Sequence, residues 1–85
     1  MSLEDALKLI TESKQFLEPF VAYGQMISDG IAQLDKLKKL VEEKAYDEAY
    51  RLSCTMCEQV SGYRAFVPDL VIKLEKIREI LKCNC

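Results

Sequence analysis

The sequence predicts an all-α protein, a small up-down four-helix bundle. Three observations carry that prediction. Apolar residues recur three and four apart along almost the whole chain, the spacing that returns a side chain to one helix face each turn. Only two prolines and three glycines interrupt the pattern. The 85 residues are 49% hydrophobic and 31% charged, which supplies one thin core and a wet exterior.

The first helix is expected over residues 3–17, with Leu3, Leu7, Ile10 and Leu17 as its apolar stripe. Ser2 suits the N-cap, and Asp5 stands at the third helical position, where the partner in a capping box belongs. Glu4 and Asp5 also complement the positive end of the helix dipole. Pro19 disfavours helix at Glu18 and suits the first position of a new helix.

A second helix is expected over 19–43, carrying Phe20, Ile27, Ile31, Leu34 and Val41. Gly30 falls on its apolar arc and Gly24 at the edge. We read them as places where a neighbouring helix approaches closely, since a mid-helix glycine costs only about 1 kcal/mol. The alternative is a break at Ser28-Asp29-Gly30. The charged stretch 35–44 reads as a solvated face leading into a turn at Lys44.

The third helix, over 46–61, carries Ala49, Leu52, Met56 and Val60, with Gly62 suited to its C-cap. The fourth, over 68–82, opens with Pro68-Asp69 and carries Leu70, Leu74, Ile77 and Leu81. Arg78 and Lys82 suit its C-terminal end.

A second architecture uses the same residues: a two-helix hairpin turning at Lys44, with Pro19 and Pro68 as kinks rather than breaks. Such a hairpin leaves so much apolar surface open that it has to dimerise. The Gly62 signal and ordinary helix lengths favour the bundle. In either case charge places helix 4 beside helix 1. Residues 1–30 set Lys8 and Lys14 against Glu4, Asp5, Glu12, Glu18 and Asp29; residues 64–82 set Arg64, Lys73, Lys76, Arg78 and Lys82 against Asp69, Glu75 and Glu79.

Composition also narrows function. A net charge of −2 gives no clustered cation excess for nucleic acid. The longest apolar runs, such as Phe20-Val21-Ala22-Tyr23, fall far short of the ~20 residues of a membrane span. The acidic start Met1-Ser2-Leu3-Glu4-Asp5 lacks the form of a signal peptide, so a cytoplasmic chain with reduced cysteines is expected. There is no histidine, which removes imidazole bases and the dyads and triads built on them. No Gly-rich phosphate loop or nucleophile elbow is present. We therefore expect a protein that is not an enzyme and needs no cofactor.

Two features go beyond packing. Cys54 and Cys57 form a C-x-x-C, and the chain ends Cys83-Asn84-Cys85. Four thiolates could hold a structural zinc, which makes a zinc-stabilised regulator the alternative function. The pair lies mid-helix, however, where no turn wraps a metal, and its other reading is small packing residues. Secondly, helix 3 is apolar over a wide arc. Ala49, Leu52, Met56, Val60 and Tyr63 span about 80°, and Tyr46, Tyr50, Cys54 and Cys57 widen that to about 200°. The excess makes helix 3 either the most buried helix or an interface. We expect a helical protein–protein interaction module, a small adaptor, regulator or inhibitor that binds another protein or itself. Its expected surface is Tyr46, Tyr50, Cys54 and Cys57, joined by Met26 and Leu37 from helix 2.

Overall fold

In the computed structural model, which describes residues 2–84, the chain begins with a capped helix, α1 (Leu3–Leu17). The Ser2 hydroxyl accepts from the Asp5 N–H, and the Asp5 carboxylate accepts from the Ser2 N–H at 2.9 Å. The reciprocal capping box is therefore formed, with aspartate in the place usually taken by glutamate or glutamine.

The next segment departs from expectation. Helix 2 does not start at Pro19. Residues Glu18–Tyr23 wind as a 3-10 segment, Gly24 is extended, and α2 spans Gln25–Glu42. Proline has no N–H to continue the ladder of α1, and the tighter winding followed by an extended residue turns the chain back. The helix runs unbroken through Ser28, Asp29 and Gly30. The third and fourth helices, α3 (Tyr46–Ser61) and α4 (Pro68–Lys82), keep the expected bounds, with Pro68 in the first turn of α4.

The turn from α2 to α3 is a Schellman motif. Lys44 adopts a left-handed conformation, φ 64°. Its N–H reaches the Val41 carbonyl at 3.1 Å, and the Ala45 N–H reaches the Leu40 carbonyl at 2.9 Å. Gly62 does stand at the C-cap of α3, but in a right-handed conformation (φ −72°, ψ −11°), so its left-handed freedom is unused.

Each helix packs on its two neighbours in a ring, α1 on α2 and α4, α3 on α2 and α4, and the diagonal pairs do not meet at backbone level. Contacts between α1 and α2 fix their register as antiparallel: Leu17 lies over Gly30, and Lys14 pairs with Asp35 at 2.8 Å. The hairpin alternative is excluded, because two arms of about forty helical residues would each be about 60 Å long. The molecule measures 34 × 22 × 18 Å.

The core consists of Ile10 and Leu17 from α1, Leu34, Leu37 and Val41 from α2, Ala49, Met56 and Cys57 from α3, and Leu70, Leu74, Ile77 and Leu81 from α4. Two buried serines are satisfied locally: the Ser13 hydroxyl donates to the Leu9 carbonyl at 2.8 Å and that of Ser53 to the Tyr50 carbonyl at 2.6 Å. Among the described residues no helix is long and apolar enough to cross a membrane.

Candidate functional site

The up-down topology brings four chain segments to one end of the bundle: the end of α1 with its 3-10 extension, the start of α2, the end of α3 and the start of α4. Of the seven large hydrophobic residues that stand exposed among the described residues, six lie at this end: Phe20, Val21, Tyr23, Met26, Tyr63 and Phe66. The seventh is Ile72 on α4. Tyr23 and Phe66 are 83% and 81% exposed. Phe16, Phe20 and Tyr23 form a ladder of tilted rings with centroids 5.8 and 6.1 Å apart.

Between these segments opens an apolar cleft of about 480 Å³. Its floor is Leu34, Met56, Leu70 and Leu74; Met26, Tyr63 and Phe66 stand along its mouth. Gly30 contributes to the space, since it carries no side chain between Ile27 and Leu34 of the lining. Asp29, Gln33 and Gln59 are the polar residues of the lining, and the Asp29 carboxylate accepts from the Gln25 amide at 3.0 Å. A volume of this size falls within the range of ligand-binding clefts, and its lining suits an apolar occupant with a few polar contacts.

The residues singled out from sequence are divided by the fold. Leu37 is 0% exposed and belongs to the core, so its assignment to a binding surface is corrected: it lies on the same α2 face as Leu34 and Val41, which is covered by neighbouring helices. Cys57 is likewise buried on the inner face of α3. Tyr46, Tyr50 and Cys54 are half-buried on the opposite half of the bundle from the cleft, and Tyr50 packs against the core. Met26 is 63% exposed and does line the cleft mouth. It does not join Tyr50, because Tyr63, its neighbour in the cleft, lies about 20 Å along the chain's path from Tyr50. Phe20 and Tyr63, expected on the apolar stripes of helices 2 and 3, stand exposed in the connections beside the prolines, and Tyr23 and Phe66 lay on no stripe, because helical period carries no information there. Their signal was five aromatic residues, Phe16 among them, within five positions of Pro19 or Pro68.

The cysteines are free thiols at Cys54, Cys57 and Cys83, and Cys85 lies outside the described residues. Burial pushes the Cys57 thiol above its ordinary range. A hydrogen bond with Cys54, one turn on, raises the Tyr50 phenol. Arg78 and Glu79 of α4 act on Tyr50, so Tyr50 marks the level of that turn of α4. Cys83 lies beyond it, on the order of 12 Å along the bundle from Cys54. Zinc would require the sulfurs within about 4 Å of one another. Among the described residues no three acids, cysteines or histidines are grouped to hold a metal.

Comparison with known proteins gives no match. No family model, curated protein or solved structure aligns with the chain.

Proposed function

We propose that this chain is a non-enzymatic protein-interaction module, a small adaptor, regulator or inhibitor, and that it docks its partner at the proline end of the bundle. The observation that carries the reading is an apolar cleft with the exposed side chains of Met26, Tyr63 and Phe66 in its lining, at the end of the bundle where Phe20, Val21 and Tyr23 also stand exposed. Single exposed hydrophobic residues need no explanation, but a concentration at one end of a small helical protein marks a contact surface. Aromatic residues and methionine, the types found here, are those enriched at the centres of interfaces. The rest of the molecule acts as a rigid frame that holds the connecting segments in place. Cytoplasmic residence belongs to the same reading and is supported by an exposed free thiol at Cys83.

Site-specific photo-crosslinking tests this function. A photoreactive residue at position 66 is expected to yield adducts with protein, either another polypeptide or a second copy, while the same group at exposed Lys36 on α2 yields none. Adducts at position 36 alone, or none at either, would overturn the proposal.

A further inference from the structure

Resting on the docking reading above, we infer that the occupant of the cleft is a basic amphipathic helix, one whose apolar face enters the cleft and whose Lys and Arg residues flank it. The argument is charge complementarity. Asp29 is the charged residue of the cleft lining. Four further exposed acids are chain neighbours of lining residues: Glu18 follows Leu17, Asp35 follows Leu34, Glu58 precedes Gln59, and Asp69 precedes Leu70. Three cations stand at the same end, and one of them, Lys14, also lies near Glu18. Lys14 pairs with Asp35 at 2.8 Å, Arg64 pairs with Glu75 at 2.8 Å, and Lys73 is half-buried. Six acids, Glu18, Asp29, Asp35, Glu58, Asp69 and Glu75, thus stand against three cations, Lys14, Arg64 and Lys73, and the cleft end is net acidic.

This arrangement sorts the candidate occupants. A second copy would bring one acidic end against another, and like charges across an interface oppose association. A membrane surface with anionic headgroups would be repelled in the same way. A neutral apolar ligand would gain nothing from this charge. A helix with apolar anchors three and four residues apart, bordered by cations, satisfies both the cleft and its rim.

The probe is a labelled Leu/Lys amphipathic peptide of about sixteen residues, long enough to form a helix on binding. Fluorescence anisotropy with the full chain compares it with a Leu/Glu peptide of the same pattern, a Lys/Ser peptide of the same charge, and phosphatidylserine-containing vesicles. The Leu/Lys peptide is expected to bind about tenfold or more tightly than either control peptide, with affinity falling as salt rises. Phe66→Ser and Asp29→Lys, both at exposed positions and both checked for unchanged helicity, are each expected to weaken it several-fold. Equal binding of the Leu/Glu or Lys/Ser peptide, indifference to both substitutions, preferred binding to the vesicles, or self-association through Phe66 would overturn the inference. A heterologous protein adduct at position 66 without preference for the basic peptide would sink the charge class and leave the docking site standing.

Discussion

Gly30 of α2 lies beneath Leu17 of α1, and a β-carbon at Gly30 would stand 3.5 Å from Leu17 Cδ1. That is ordinary van der Waals contact, so alanine fits without displacing its neighbour. Glycine inside a helix costs about 0.5–1 kcal/mol relative to alanine. Gly30→Ala is therefore expected to stabilise the fold by that amount, raising the melting temperature by several degrees for a domain of this size. A lower melting temperature in a calorimetric scan would show that the α1–α2 approach is closer than described.

Lys44 holds a left-handed conformation that glycine adopts freely and other residues adopt at a cost of roughly 1–2 kcal/mol. Its side chain is exposed, so the substitution removes little else. Lys44→Gly is expected to raise stability by up to about 1 kcal/mol after the entropy of glycine is counted. Lys44→Val, β-branched at the same position, is expected to lower it. Urea unfolding of both variants settles the sign, and the reverse order would count against the Schellman turn.

Leu37 and Met26 occupy the same helix but different environments. Leu37→Ala is expected to cost about 2–5 kcal/mol, because it empties a sealed part of the core. Leu37→Met keeps the volume and should cost less than about 1.5 kcal/mol. Met26→Ala is expected to leave the unfolding midpoint within about 0.5 kcal/mol of the parent while weakening partner binding. Should Leu37→Ala prove as mild as Met26→Ala, the ring of four helices would be wrong.

Three groups hold their protons more tightly in the folded chain: Cys57 through burial, Tyr50 through its hydrogen bond with Cys54, and Lys14 through its hydrogen bond with Asp35. Above the ordinary values of 9.0, 10.0 and 10.5, the unfolded chain releases protons that the folded chain retains. The folded state then binds more protons, so stability falls as pH rises. These contributions are fully present below pH 9 and decline through the alkaline range. A chemical-denaturation series from pH 8 to 11 should show that decline, and a flat or rising profile would contradict the three assignments.

Thiol reactivity separates the cysteines. Alkylation followed by mass spectrometry is expected to modify exposed Cys83 before Cys57, which is buried and disfavoured as thiolate. Added zinc should leave that order and the melting temperature unchanged. Joint protection of Cys54, Cys57 and Cys83 by zinc would show that the end of α4 rearranges to bring the sulfurs together.

Much of the fold was legible because helix is a local structure. The Ser2–Asp5 cap, the proline at the start of α4 and the turn at Lys44 are each specified by residues a few positions apart. The start of α2 was less legible. Pro19 announces an interruption, but whether the following residues wind as α or 3-10 depends on how far the chain must turn to lay α2 against α1. The surface of Leu37 could not be read either, since a single helix stripe does not say how many neighbours cover it.

From its own order of residues, the chain determined four helices, the cap of the first, most of the stripes that pack and the pairing of helix 1 with helix 4. Hydrophobic period, proline and backbone capping act over one turn and need no partner to be read. The tertiary structure alone decided which apolar residues are sealed and which stand open. The pairs Phe20/Tyr23 and Tyr63/Phe66 are far apart along the chain and come to the same end only because α2 and α3 run the length of the bundle between them. A cleft is the space left between elements, and that space is set by how the helices pack and by the absent side chain at Gly30.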